Sequence, residues 1–331
     1  MFDTHFAFAS LALPLGISFF TFTQIAFLVD CNRNNVSDCS FSNYFLFVTY
    51  FPHLIAGPII HHKEMLPQFS AMHREFGRAE FLSAGLTILA IGLFKKVVLA
   101  DSIAPYADSM FDGAARVPPG LLQAWSGTIA YALQIYFDFS AYSDMAIGIS
   151  FMFGVRLPLN FYSPYKARNI IEFWRRWHIT LSRFLRDHLY IPLGGNRRGR
   201  ISRYVNLLVT MLLGGLWHGA SWTFVAWGAL HGAFLAINHA FQALVRSTIV
   251  DRWLATRAGG IACTSLTFAC VLVAWAYFRA PDIKTAHSVI AGMLGLNGIQ
   301  LPDRYTAFLG SFAQRLTDWG IEFRPMDSFG S

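Results

Sequence analysis

A histidine set in an apolar run has the strongest claim to chemistry in this sequence. His218 lies within residues 204–241, between Trp217 and Gly219, with Gly214 and Gly215 just before it. An ionisable side chain in lipid is expensive and tends to mark a functional position. Imidazole titrates near neutrality, which suits it to take a proton from a hydroxyl nucleophile, and glycines let backbone or substrate come close. The competing reading, a core histidine hydrogen-bonded between helices, stands beside it.

The other chemistry-bearing residues have plainer readings. His231 follows His218 by thirteen residues, close to whole helical turns, and reads as a packed or funnel-lining residue. His53, beside Gly57 and Pro58, could line a cavity, and His61-His62 reads as an interfacial pair. Asp138 and Asp144 read as caps of a break after Phe137 before they read as orienting groups. Cys31 and Cys39 fall in a loop that the charge pattern puts outside, where a disulfide is open to them. Cys263 and Cys270 are ordinary helix residues. No spacing of His, Cys and carboxylates makes a structural zinc site, so no metal is expected.

These residues must be held by membrane-embedded elements. Of 331 residues 54% are hydrophobic, 16% aromatic and only 14% charged, with a mean hydropathy of +0.41, which excludes a soluble globular protein. No alternating segments of β-barrel type recur, so the expected class is all-α, a polytopic membrane protein with broken and re-entrant helices around a funnel or tunnel. Apolar runs occupy residues 6–29, 41–60, 81–100, 121–137, 204–217, 222–241 and 261–278, several interrupted by breakers: Pro14 and Gly16, Pro52, Gly57 and Pro58, Gly214 and Gly215. The start, Met1 to His5, has no basic region and no cleavage site, and reads as no removable signal peptide.

The net charge of +7 does not point to nucleic acid, because ten Lys and Arg lie in one stretch, residues 166–203, between apolar segments. That is the pattern of a cytoplasmic membrane face in contact with lipid. Lys63, Arg74 and Arg78 place the loop before residue 81 on the same side, and Asp101, Asp108 and Asp112 place the next loop outside. One net crossing then separates residues 121 and 166, with 145–155 re-entrant or interfacial. The runs around His218 form a hairpin with Trp217-His218-Gly219 at its tip. The first limb is about 14 residues, or ~21 Å, so the tip stops short of the far side of a ~30 Å hydrocarbon core. Aromatics alternating with arginines over residues 173–187 predict amphipathic helices lying in the interface, and residues 194–199 a tight turn.

Three segments, residues 160–165 (NFYSPY), 173–182 (FWRRWHITLS) and 190–197 (YIPLGGNR), precede 214–219 (GGLWHG) in an order that resembles the membrane-bound O-acyltransferase family. The alginate O-acetyltransferase branch is the most similar, related to the D-alanyl transfer protein of teichoic acid synthesis. Residues 14–22 (PLGISFFTF), 53–59 (HLIAGPI) and 136–144 (YFDFSAYSD) extend the resemblance from about Leu13 to Ala280.

The resemblance implies acyl transfer to a hydroxyl, with His218 as catalytic base and His178 as the second family histidine, placed here at the cytoplasmic side. The acyl donor implied is acetyl-CoA, with no tightly bound cofactor. Arg175, Arg176, Arg197 and Arg198, together with Lys166 and Arg168, would meet its phosphates, unless these charges serve topology and anionic lipid. The expected protein is a multi-pass acetyltransferase of the inner, cytoplasmic membrane. It would work with a periplasmic or extracellular transfer partner on an alginate-like polysaccharide acceptor. Alternatives are D-alanyl or other acyl transfer from a carrier protein, and a non-enzymatic transport subunit. The expected division is a family domain over residues 1–280, lacking the usual N-terminal helices, and a partly helical or truncated tail over 281–331.

Overall fold

The computed structural model describes residues 16–33, 40–55, 57–75 and 77–325. Helices dominate it. The first part holds α1 (Ile17–Asn32), α2 (Phe41–Thr49) and α3 (His62–Glu75). Next come α4 (Ala79–Phe94), a π-helical turn (Lys95–Ala100) and α5 (Asp101–Ala114), which run on as one 36-residue rod, and then α6 (Leu121–Met152). The central part is α7 (Ile170–Arg176), α8 (Ile179–Leu185) with a π-helical turn (Arg186–Tyr190), α9 (Gly199–His218) and α10 (Trp222–Val245). After these come α11 (Ile249–Leu254), α12 (Arg257–Arg279), α13 (Ile283–Met293), β1 (Ile299–Pro302), α14 (Arg304–Leu309), α15 (Ser311–Asp318) and β2 (Ile321–Arg324). The parallel pair β1–β2 is the only sheet among the described residues.

Among the described residues three helical stretches are long and apolar enough to cross a membrane: Ala79–Ala114, Trp222–Val245 and Arg257–Arg279. Local chemistry sets the starts of the second and third, and of two shorter helices beside them. Ser221, Thr248, Thr256 and Asp282 each accept a hydrogen bond from a backbone N–H of the first turn that follows, capping α10, α11, α12 and α13. The principal core joins α5, α6, α7, α10, α12 and α13 around Phe111, Phe173, Trp227, Leu272 and Trp275.

Four expectations are corrected. The break after Phe137 does not occur, since α6 is continuous through 32 residues. Asp138 and Asp144 sit inside it and pair with Lys96 (2.7 Å) and Lys95 (2.5 Å) from the neighbouring rod, so they are ion-pair partners and not caps. Secondly, Asp101, Asp108 and Asp112 belong to helix α5 and not to a loop, where Lys96 reaches Asp101 and Arg279 reaches Asp108.

Thirdly, the run 41–60 does not carry the chain across. Helix α2 has nine residues, about 14 Å, against a core of ~30 Å. Asp30 at the end of α1 lies 3.0 Å from His61, just before α3, so the end of α1 and the start of α3 share one side. Fourthly, α7 and α8 do not lie on the surface. Phe173, Trp174, Trp177, Leu181 and Leu185 are buried, and the arginines project outward between them. Pro14 and Cys39 lie outside the described residues, and with Cys39 the expected Cys31 pairing.

Candidate active site

Helices α9 and α10 form the expected hairpin, and its tip carries His218. The two helices touch backbone to backbone. A Cβ on Gly215 would collide with the Phe224 carbonyl, and one on Gly228 with the Met211 carbonyl, so only glycine permits this approach. The tip turns at Gly219, with Ser221 capping α10.

The His218 ring is half-buried and makes no hydrogen bond to any described residue. Its walls are aromatic: Trp217 at 4.6 Å between centroids, Phe278 at 4.9 Å, Trp227 at 5.2 Å and Phe224 at 6.1 Å. An imidazole so placed keeps its lone pair for a hydroxyl proton.

His178 was expected at the cytoplasmic edge. The structure puts it in the core, 2% exposed, on the other side of Phe19 from the hairpin tip. Phe19 lies 6.3 Å from the His178 ring and 5.4 Å from Trp217, and the two histidines are near enough to interact electrostatically. The chain reaches this position through a left-handed residue, His178 itself (φ 42°), which turns α7 into α8 at a cost of about 1–3 kcal/mol.

Asn160 holds that turn. Its Oδ1 accepts from His178 Nδ1 (3.0 Å), Thr180 Oγ1 (2.9 Å) and Thr180 N (3.3 Å), while its Nδ2 donates to Ser143 (3.2 Å). An acceptor at Nδ1 assigns the proton to that nitrogen. Nε2 is then a bare acceptor, and it is buried without a partner.

Between α7, α8, α9 and α10 lies a cavity of about 420 Å³. Arg175, Arg183, Arg186, Ser182, Tyr190 and His239 are among its lining, with Trp174, Leu185 and Met211 also in its wall. Met211 is seven residues before His218, about 10.5 Å along the helix. Between the two, Leu185 packs against Gly214, and Trp174 packs on Trp227, which itself touches the His218 ring.

Residues 4–273 match the membrane-bound O-acyltransferase family. The chain belongs to that family. It is similar to a peptidoglycan O-acetyltransferase of Helicobacter pylori, 45% identical over 328 residues, covering 90% of this chain and 60% of that one. A probable alginate O-acetylase of Azotobacter vinelandii is 43% identical over 309 residues, covering 92% and 58%. A teichoic acid D-alanyltransferase of Streptococcus thermophilus is 27% identical over 260 residues, covering 72% and 60%. The chain thus spans about 60% of the length of the curated relatives it matches.

Against this family background, the structure sorts the arginines named from sequence. Arg175 lines the cavity. Arg176 is engaged with Glu172 at 2.6 Å and lies over the Tyr162 ring, and Arg197 and Arg198 are exposed on the glycine turn; none of these three is part of the cavity wall. Sequence reasoning missed Arg183, Arg186, Ser182 and Asn160. The first three recur at spacings of one helical turn from residue 179 onward, and that signal was available.

His231 is wholly buried on α10 and accepts a hydrogen bond from Trp174 Nε1 at 3.2 Å, a packed helix residue as expected. His53 lines none of the four best-formed cavities of the described residues. It is 3% exposed and bonded to the Tyr50 carbonyl.

Proposed function

We propose that this chain is the catalytic part of a membrane-bound O-acetyltransferase, moving acetyl from acetyl-CoA on the cytoplasmic side to hydroxyls of an exported polysaccharide. The observation that carries the reading is the uncommitted His218 ring at the hairpin tip, a few turns above an arginine-lined cavity. The identities support acetyl over D-alanyl transfer, since the O-acetyl relatives are 45% and 43% identical and the D-alanyl relative 27%.

In this mechanism Arg175, which lines the cavity and makes no ion pair with a described residue, meets the phosphates of the donor; Arg183 and Arg186, paired with Glu64 and Asp187, line the same cavity and add positive charge to it. The acceptor enters from the opposite side. Its hydroxyl gives its proton to His218 as its oxygen attacks the thioester carbonyl. The C–S bond then breaks, the ester remains on the acceptor, and the imidazolium returns the proton to the coenzyme thiolate. The bare Nε2 of His178, held by Asn160, accepts a hydrogen bond from a donor or acceptor group and orients it. A periplasmic or extracellular partner completes delivery to the polymer, and the inner membrane is the site of action.

The test is acetate content of the exported polymer in cells carrying His218→Ala. The expected result is its loss with the protein's abundance unchanged. Normal acetate content in that variant removes His218 as the base.

A further inference from the structure

Away from the hairpin tip, Asp30, His61 and His62 converge where α1 ends and α3 begins. Asp30 Oδ2 lies 3.0 Å from His61 Nε2 and 3.8 Å from His62 Nδ1, and one ligand atom from each residue fits within 4.8 Å. Asp30 and His62 are 6% and 3% exposed. Neither ring nitrogen of His62 has a hydrogen-bond partner, although both are buried. His188, on the π-helical turn after α8, lies near enough to interact electrostatically with Asp30 and His61.

Two orphaned imidazole nitrogens beside a buried carboxylate and a second histidine make a poor apolar core and good ligands. We propose that Asp30, His61 and His62 bind a divalent transition-metal ion, zinc in particular. Nitrogen and carboxylate donors without sulfur suit zinc among the common biological ions. Ligand atoms in a tetrahedral zinc site lie about 3.3 Å apart, so separations of 3.0–4.8 Å close onto the ion by small side-chain rotations.

Asp30 lies thirty-one residues before His61, so local spacing could not show the set.

The ion would be structural. It ties α1 to α3, and Glu64 of α3 pairs at 2.8 Å with Arg183 of α8, which lines the arginine cavity. The proposal is independent of the acyl-transfer reading.

The experiment is elemental analysis of the full chain, purified in detergent without a polyhistidine tag, followed by zinc titration after chelator treatment. One zinc per chain is expected. Zinc should raise the unfolding midpoint of the stripped protein, and X-ray absorption of the loaded protein should show nitrogen and oxygen ligands only. Asp30→Asn and His62→Gln should each weaken zinc binding by about 100-fold or more, the upper end of what even outer-shell partners of a metal are worth. Folded wild type that neither retains zinc nor shifts its midpoint on titration overturns the proposal. Zinc binding of unchanged affinity in both variants does so too.

Discussion

At the scale of single residues, the site depends on which imidazole nitrogens are left free. His218 has no hydrogen-bond partner among the described residues, whereas His178 has one nitrogen fixed by Asn160 and one open. Asn160→Ala removes an acceptor used by three buried donors, and a drop in unfolding free energy of at least about 1–3 kcal/mol is expected by chemical denaturation. His178→Gln keeps an amide N–H for Asn160 while removing the open imidazole nitrogen. Its expected effect is a fall in turnover with little change in melting temperature; full turnover would make His178 purely structural. His218 was legible because its neighbours in sequence are its neighbours in space. His178 was legible as a residue but not in depth, because four arginines between residues 175 and 186 disguise two seven-residue helices whose aromatics face the core.

At the scale of elements, close backbone approach and outward-facing arginines do the positioning. Gly228→Ala would push α9 and α10 apart at the Met211 carbonyl. Overpacking of this kind costs typically about 1–3 kcal/mol and should appear as a lower melting temperature in detergent. The cavity gives a sharper contrast within α7. Arg175→Ala should raise the KM for the acyl donor about tenfold, the effect of one lost charge-assisted contact, whereas Arg176→Ala should leave it unchanged because Arg176 is engaged with Glu172. Equal effects of the two would mean that the cavity does not hold the donor. The α9–α10 hairpin was readable from run length and the glycines at its tip. The continuity of α6 was not, because Asp138 and Asp144 look like breakers until Lys95 and Lys96 arrive from a helix more than forty residues earlier.

At the scale of the whole molecule, composition alone announced a helical membrane protein, and ordered motifs announced its family. The long-range arrangement was hidden. Asp30 meeting His61 changes which loops share a side, and no periodicity encodes that contact. The resulting molecule has a basic face with the cavity and, deeper within it, the His218 tip. The central claim is that an acyl group travels from that face to His218 and on to a hydroxyl. The most direct measurement supplies labelled acetyl-CoA to sealed membrane vesicles of known orientation and follows label into polysaccharide on the other side. Transfer is expected only when the donor meets the cytoplasmic face, and none is expected with His218→Ala. Undiminished transfer by the His218→Ala protein would contradict the account.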